Sequence, residues 1–317
     1  MACVFGVDVG GTTIKFSVID EAGTICERWA IPTNAADAGA SIPADIAAQL
    51  VAKNAELAQT GEAALAIGVG VPGPVCEGMV ERAVNLGWSQ MPLAELLHEA
   101  TGLPVTLLND ANAAALGETW MGGDETCSNG TAVFVTLGTG VGGGVIVDGR
   151  VLNGRHGCAG EVGHMPVKGH DTRRCGCGKT NCLECYCSAT GFVKTANDLY
   201  DAAGDPRGFT EGKEVFDLVA AGESLAVQAR DITVGYLADG LASIMCVVDP
   251  QEVIVGGGLS HAGDLLMEPL AERLVERVFP AVRGRYVLRR ATLGNDAGAL
   301  GAAYQAFQLL ESLAGEE

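Results

Sequence analysis

The chain has 317 residues, of which 39 are acidic and 20 are basic, and its formal net charge is -19 at pH 7. Nucleic acids and anionic membranes bind basic patches, so we expect neither as a partner. The sequence opens without a basic signal segment and contains no run of 18 apolar residues, which predicts a cytoplasmic protein. With 48% hydrophobic residues and 45 glycines, a chain of this length predicts two α/β domains.

The first third of the chain alternates strand and helix patterns. Apolar runs predict strands at residues 3–9, 14–19, 24–31, 65–70 and 104–108. Apolar residues at helical spacing predict helices at 41–60, 91–101 and 111–120.

A second round of the same pattern begins near residue 131. Strands are predicted at 131–137, 144–148, 252–255 and 286–292, and helices at 188–200, 213–221, 225–247, 264–279 and 297–313. The polar stretch 154–187 predicts a loop. Aligning Asp8 with Thr136 without gaps places Gly10 on Gly138 and Asp20 on Asp148, which suggests a duplicated half.

The first glycine motif is Asp8-Val9-Gly10-Gly11-Thr12-Thr13-Ile14-Lys15. Glycines let backbone N–H groups approach phosphate oxygens, Thr12 adds a hydroxyl donor, and Lys15 adds a positive charge. Asp8 ends a buried strand, where a carboxylate can order Mg²⁺ and its waters. The alternative is a plain hairpin turn with a capping aspartate.

The second glycine motif runs from Leu137 to Gly144. It lacks the Gly-Lys-Ser/Thr of a Walker loop, and a strand follows it where a Rossmann fingerprint has a helix. A bare flexible turn is the alternative. The five glycines and the similar motif in the first half favour a second phosphate loop.

Asn109 and Asp110 lie between a predicted strand and a predicted helix. A carboxylate at the carboxyl end of a strand lies where α/β proteins bind ligands, and it could accept the proton of an attacking hydroxyl. Asp is also a preferred helix N-cap, so a purely structural role is an equal alternative at this stage.

Eleven cysteines, an odd count, make a disulfide framework improbable, and five of them fall between Cys175 and Cys187. One histidine and three cysteines, namely His164, Cys175, Cys177 and Cys182, have the spacing of a closed tetrahedral zinc site. A metal-free cluster of reactive cysteines is the alternative. Cys185 and Cys187 are rival ligands, which we leave out because their spacing is that of a strand or an early helix. A zinc ion here would fix Glu184 and the neighbourhood of Glu161.

A further glycine motif, Ile254 to Ser260, ends a predicted strand and could let a ribose or a base lie against the backbone. Such strand-to-loop glycines are common, so this motif carries little by itself.

Taken together, these motifs resemble a known family. DVGGTTIK, GVPGPV, VNLGW, NDANAAALGE, TLGTGVGGGV, GEVGH, CGCGKTNCLE and IVGGGLS occur in this order. They closely resemble those of the bacterial ROK-family sugar kinases, within the actin-like and hexokinase-like ATPase fold. The family pattern usually has glycine where this chain has Asn181.

The resemblance implies the domain organisation. We expect an α/β fold with a small domain at 1–120, on which a C-terminal helix at about 297–317 packs, and a large domain at 121–296. The large domain contains a zinc-binding loop module at 156–187.

The resemblance also implies residue roles. Asp110 matches the catalytic base, and Gly73, Asn85, Asn109, Asp110, Glu161, His164 and Glu184 match the sugar-binding set. The residues expected to bind ATP and its phosphates are Asp8, Gly10, Gly11, Thr12, Lys15, Gly138, Thr139, Gly257 and Gly258. His164, Cys175, Cys177 and Cys182 match the ligands of a structural zinc.

The expected activity is transfer of a phosphoryl group from ATP, with Mg²⁺, to glucose, giving glucose 6-phosphate. VNLGW at Val84–Trp88 and the segment 293–298 resemble the glucokinase branch of the family. Fructose, mannose and N-acetylmannosamine are the alternative acceptors. A homodimer is expected by the same resemblance. Two other classes of protein are alternatives to a kinase. The ROK repressors carry a DNA-binding segment before the first glycine motif, whereas here that motif begins at Asp8. An actin-like or chaperone ATPase would not need the zinc module, so both classes are less favoured than a sugar kinase.

Overall fold

The computed structural model describes residues 2–123 and 130–315. Its first helices and strands are β1 (Cys3–Val9), β2 (Thr13–Asp20), β3 (Ile25–Pro32), α1 (Ala36–Gly39), α2 (Ile42–Thr60), β4 (Ile67–Val71), β5 (Val75–Cys76), β6 (Met79–Ala83), β7 (Trp88–Met91), α3 (Leu93–Thr101), β8 (Val105–Asn109) and α4 (Asp110–Met121). They are followed by β9 (Ala132–Leu137), β10 (Val141–Val147), β11 (Arg150–Val151), α5 (Glu184–Cys187), α6 (Ala189–Ala202), α7 (Gly212–Ala220), α8 (Ser224–Val248), β12 (Glu252–Gly256), α9 (Asp264–Arg277), β13 (Val287–Arg290) and α10 (Ala297–Ala314). Short 3₁₀ turns include Val84–Leu86, Val162–His164 and Gly258–Ala262.

The chain divides into two compact units. The first consists of Met1–Ser128, Gly149–Ala159 and Asn295–Glu317, and the second of Asn129–Asp148 and Gly160–Gly294. These units are defined by the contacts that residues make within each of them, which does not establish domain boundaries. The expected domains at 1–120 and 121–296 therefore stay a prediction.

The first unit is built on a sheet with the strand order β3-β2-β1-β4-β8. Strands β1 and β2 form an antiparallel hairpin, and β4 and β8 extend the sheet in parallel. Apolar side chains of β1 and β2 pack with one face of α2, because burial of these groups stabilises the sheet. Phe16 stacks on Trp29 of β3 with ring centroids 5.1 Å apart.

Helix α10 packs on the first unit's sheet and on α4. Two strand glycines make this close approach feasible. A Cβ on Gly6 would lie 2.3 Å from the Ala299 carbonyl oxygen, and one on Gly68 would lie 1.8 Å from that of Ala302. A side chain at either position would therefore push α10 off the sheet.

The second unit contains strands in the order β10-β9-β12-β13. Here β9 and β10 form the antiparallel hairpin, and β12 and β13 extend it in parallel. The first unit has the same arrangement in β2-β1-β4-β8. This shared order is what a duplicated half requires. Helices α6, α7, α8 and α9 supply most of the remaining core, and the short helix α5 buries Tyr186 there.

Helix α8 has the length and hydropathy of a membrane span, although half of its most apolar stretch is buried in the protein. Core helices of water-soluble proteins share this profile. Leu237, Leu241 and Met245 on α8 belong to the core of the second unit. The helix therefore has a packing role, and a cytoplasmic location stays a prediction.

The predicted α/β class is confirmed, and each predicted strand and helix has a counterpart in the structure. Two details differ. The strand predicted at 144–148 begins at Val141, so Gly142 to Gly144 lie inside β10 and the turn is confined to Gly138–Gly140. A three-stranded sheet of β5, β6 and β7 was not predicted.

Candidate active site

The first glycine loop joins β1 to β2 in the first unit. The Gly10 N–H donates to the Thr13 carbonyl at 3.0 Å, which closes the turn. The hydroxyl of Thr33 donates to the Gly10 carbonyl at 2.7 Å, and the Thr33 N–H donates to the Thr12 carbonyl at 2.9 Å. Thr33 thus fixes the loop from the side, and no sequence motif indicates it, because it lies 23 residues from Gly10.

Asp8 and Lys15 face each other across the same hairpin, in register. The ammonium of Lys15 is 3.2 Å from a carboxylate oxygen of Asp8. A Cβ on Gly298, at the start of α10, would lie 3.5 Å from the Asp8 carboxyl carbon. The structure therefore brings a carboxylate, an ammonium and a glycine turn together, as a loop that binds phosphate and a divalent cation requires.

Asn109 and Asp110 mark the junction of β8 and α4. The N-cap is Asn109, whose side-chain oxygen accepts from the N–H groups of Ala111 at 3.0 Å and Asn112 at 3.3 Å. Its amide nitrogen donates to the Gly73 carbonyl at 3.1 Å, which leaves one N–H of that amide for a ligand. Asp110 is the first helical residue and is exposed, and its carboxylate also accepts from the Ala111 N–H at 2.8 Å.

Asn85 lies in the 3₁₀ turn Val84–Leu86 and is exposed. A Cβ on Gly11 would lie 3.6 Å from the Asn85 Cβ, so this asparagine is beside the first glycine loop. Within the first unit, the structure thus places Asn109 against Gly73 and Asn85 beside the first glycine loop.

The second glycine loop, Gly138–Val141, is in the second unit and is held by other elements. A carboxylate oxygen of Glu184 accepts from the Val141 N–H at 3.0 Å. The Ala189 N–H donates to the Gly138 carbonyl at 2.8 Å, and the Thr190 hydroxyl donates to the Thr139 carbonyl at 3.0 Å. A Cβ on Gly140 would lie 2.4 Å from the Glu184 carboxylate, so only glycine fits there without displacement.

Gly257 and Gly258 follow β12, which pairs in parallel with β9. Gly257 has a φ of +82°, and a Cβ there would lie 2.5 Å from the Leu137 backbone nitrogen. It therefore packs directly before the second glycine loop. The space around Gly258 is open: apart from its own chain neighbours and turn, none of the described residues has an atom within 4 Å of the position of a Cβ.

His164, Cys175, Cys177 and Cys182 form one cluster, in which the potential ligand atoms lie within 4.8 Å of one another. The Cys177 and Cys182 sulfurs are 3.6 Å apart, and the Cys175 sulfur is 3.6 Å from His164 Nδ1. A tetrahedral site with metal–sulfur bonds of 2.3 Å places sulfurs about 3.8 Å apart, so the donor set could hold a metal ion.

The rival cysteines lie elsewhere in the second unit. The fully buried Cys187 thiol donates to the Thr233 carbonyl at 3.5 Å, and the Cys185 thiol points to the Arg173 carbonyl at 3.9 Å. Burial raises the pKa of the Cys175 and Cys182 thiols, whereas the Lys179 backbone N–H lowers the pKa of Cys177.

The predicted sugar ligands of the second unit border this cluster. His164 Nε2 is 3.8 Å from a Glu161 carboxylate oxygen, while His164 Nδ1 faces the cysteines. Glu184 reaches the Cys175 sulfur at 3.4 Å with one oxygen and the second glycine loop with the other. One carboxylate therefore connects the cluster to the loop.

The fold and this site define a protein of the sugar-kinase class, with two glycine loops and a Cys/His cluster. The chain belongs to the ROK family, whose sequence profile matches residues 4–308. It is 40% identical over 306 residues to a glucokinase of Halalkalibacterium halodurans, covering 93% of this chain and 92% of that one. It is 34% identical over 311 residues to an N-acetyl-D-glucosamine kinase of Salmonella heidelberg, covering 95% and 98%.

Solved structures agree with this assignment. The ROK hexokinase of Thermus thermophilus superposes with a TM-score of 0.80 at 32% identity, covering 98% of this chain and 99% of that one. A ROK family glucokinase of Streptomyces griseus, solved with glucose and AMPPNP, gives a TM-score of 0.72 at 31% identity, covering 97% and 100%.

Proposed function

We propose that this chain is a hexose kinase that transfers the γ-phosphoryl group of ATP to the 6-hydroxyl of glucose. The observation that carries the proposal is the position of Glu184, which contacts both a glycine loop and the Cys/His cluster. A sugar-binding carboxylate beside a phosphate loop suits a kinase whose acceptor is a sugar. Relatives named glucokinase support glucose as that acceptor.

Asp110 is proposed as the general base. Asn109 satisfies the N-cap of α4, so that role does not require Asp110. In the reaction, the 6-hydroxyl proton moves to the Asp110 carboxylate while the oxygen forms a bond to the γ-phosphorus. The bond from that phosphorus to the bridging oxygen breaks, and ADP leaves.

The two glycine loops are proposed to bind the ATP phosphates. Backbone N–H groups of Gly10–Thr12 and of Gly138–Thr139, with the Lys15 ammonium, suit phosphate oxygens. Mg²⁺, when bound with ATP, would neutralise phosphate charge, and Asp8 would order its waters. Gly257 and the open backbone at Gly258 would leave room for the adenosine.

The Cys/His cluster is proposed to hold one structural Zn²⁺. A Cys₃His set uses all four positions, so the ion would support the fold and leave no position for substrate. His164 would bind it through Nδ1 and keep Nε2 for a sugar hydroxyl, oriented beside Glu161. The expected homodimer remains a prediction.

Selectivity for glucose is proposed to arise from the amide and carboxylate groups of the sugar-binding set. A polar group that the bound sugar buries, but that loses its hydroxyl partner, costs about 1–3 kcal/mol, which corresponds to a roughly 5–150-fold difference in kcat/KM. An N-acetyl group at the 2-position needs additional space. N-acetylglucosamine is the second candidate acceptor, because a relative named N-acetyl-D-glucosamine kinase is 34% identical to this chain.

Steady-state kinetics with a panel of sugars test the proposal. The panel contains glucose, N-acetylglucosamine, N-acetylmannosamine, mannose and fructose at fixed ATP. Glucose should give the highest kcat/KM. A higher value for another sugar would reject the glucose assignment and keep the kinase assignment, whereas no phosphorylation of any sugar would reject both.

A further inference from the structure

Arg173 lies two residues before Cys175 and is the most deeply buried arginine among the described residues, with 5% of its surface exposed. Its side chain uses four of its five N–H groups. Nε donates to the Asp171 carboxylate at 2.9 Å and Nη2 to Asp198 at 3.4 Å. Nη1 donates to two backbone carbonyls, those of Cys185 at 2.9 Å and Gly191 at 3.0 Å.

The surroundings of Arg173 compensate its charge. Its guanidinium carbon lies 4.6 Å from the centre of the Tyr186 ring. Burial alone would raise the pKa of Asp171, but the bonds from Arg173 outweigh burial and hold that pKa below its usual value. The backbone of Arg173 is fixed as well, because its N–H donates to the Asn181 side chain at 2.9 Å. A buried cation with this many bonds has one defined geometry.

The two carbonyls bound by Nη1 belong to different helices. Cys185 is in α5 and Gly191 is in α6, and between them Ser188 has an extended backbone that turns the chain. The helices touch at this corner, since a Cβ on Gly191 would lie 2.5 Å from the Cys185 carbonyl oxygen. One guanidinium nitrogen therefore fixes the angle between α5 and α6.

Both helices begin at the second glycine loop. Glu184, the first residue of α5, accepts from the Val141 N–H on one side of the loop. Ala189 and Thr190, the first residues of α6, donate to the carbonyls of Gly138 and Thr139 on the other side. The shape of the loop thus depends on the angle that Arg173 fixes.

We propose that Arg173 is a positioning residue that holds Gly138–Val141 in the shape that binds ATP phosphates, acting through the corner between α5 and α6. The inference rests on the proposed function for its ATP-binding aspect. It assigns to the second loop a support that the glycine motif does not contain. Neither substrate touches Arg173 in this role.

The test compares Arg173→Gln and Arg173→Lys in the full-length, zinc-loaded protein. Two controls separate positioning from general stability. Arg174→Gln changes the adjacent, exposed arginine. Arg289→Gln breaks a buried ion pair elsewhere in the same unit, because Arg289 is the partner of Glu252, a residue with 5% of its surface exposed.

Three quantities are measured for each variant: zinc content, the KM values for ATP and glucose, and the hydrogen-exchange rate of the loop amides without ligand. We expect Arg173→Gln to keep its zinc, to raise the KM for ATP by roughly tenfold, and to speed exchange at Val141. Arg173→Lys should lie between Arg173→Gln and the parent protein, because one ammonium cannot bridge both carbonyls and both carboxylates. Both controls should leave the KM for ATP and the exchange at Val141 unchanged.

Equal effects of Arg173→Gln and Arg289→Gln on the KM for ATP and on Val141 exchange would overturn the inference. If Arg173→Gln does not fold, Arg173→Lys decides in the same way. The exchange measurement needs neither sugar nor turnover. A parent protein without kinase activity would therefore reject the proposed function, while the exchange comparison would still decide whether Arg173 holds the loop.

Discussion

The two glycine loops resemble each other in sequence but are held in different ways. The loop between β1 and β2 carries its own charged pair, Asp8 and Lys15, and its backbone is fixed by Thr33, 23 residues from Gly10. The loop between β9 and β10 has no charged side chain. It is fixed by Glu184 and Thr190, which lie 43 and 51 residues from their partners in the loop. The first loop is held by its own hairpin and by Thr33, directly after β3, and the second is held by Glu184 beside the Cys/His cluster and by the start of α6.

The largest expected effect concerns the first unit, which contains the loop between β1 and β2. Asp110→Asn keeps the size of the side chain and removes the base, so kcat should fall by roughly 10²–10⁴, with a much smaller change in sugar binding. Asp264→Asn is the matched control, because Asp264 is also the first residue of an exposed helix start. Near-normal turnover of well-folded Asp110→Asn protein would remove Asp110 from the role.

Loss of the metal should act on the second loop. The purified protein should contain one Zn²⁺ per chain, and Cys177→Ser should lower zinc affinity, melting temperature and glucose affinity together. Metal analysis, calorimetry and sugar titration measure the three effects. Cys246→Ser, at an exposed cysteine of α8, should change none of them. Active enzyme without zinc would contradict the prediction.

A matched pair of threonines compares the loops directly. Thr33→Val and Thr190→Val each remove one hydroxyl that donates to a loop carbonyl. Each lost hydrogen bond costs about 0.5–1.5 kcal/mol, so kcat/KM for ATP should fall roughly 2–10-fold in both. Combined with Cys177→Ser, Thr33→Val should be additive and Thr190→Val should not, because Glu184, which contacts the Cys/His cluster, and Thr190 hold the same loop. Equal additivity in both double variants would show that the loops do not differ in this respect.

The smallest expected effect comes from Asn181, where the family pattern has glycine. Its φ of +55° suits glycine, but its side chain accepts from the Arg173 N–H and the Tyr186 hydroxyl, each at 2.9 Å. Asn181→Gly should lower the free energy of unfolding by about 1 kcal/mol and with it the melting temperature by a few degrees. Zinc content and kcat should stay unchanged. Asn181→Ala should be less stable than Asn181→Gly, because alanine loses the same bonds and is strained at this φ. Thermal unfolding of the two variants decides between these outcomes.

The sequence predicted the long elements well because hydrophobic periodicity determines them. It predicted the Cys/His cluster because ligand type and spacing are local properties. The short strands β5 to β7 have two to five residues each and little alternation, so periodicity could not indicate them. The early start of β10 was missed since three consecutive glycines are typical of a turn.

The supports of the site could not be predicted from the sequence in the same way. Thr33, Arg173 and Thr190 belong to no glycine or cysteine motif, and their partners come close only after folding. Adjacent residues were also ambiguous. Asn109 and Asp110 are both good N-caps by type, and the chain geometry assigns the cap to Asn109.

The packing of α10 has a consequence for biosynthesis. At Gly6 and Gly68 the sheet of the first unit packs closely against α10, a helix that begins only at Ala297. A ribosome that has released the chain as far as Gly294 has already delivered every segment of the second unit. The first unit, although its strands are made first, still lacks the helix that covers them. Its exposed apolar face would need protection during translation, so completion of the first unit, rather than of the second, is expected to be the late step in assembly of the nascent chain.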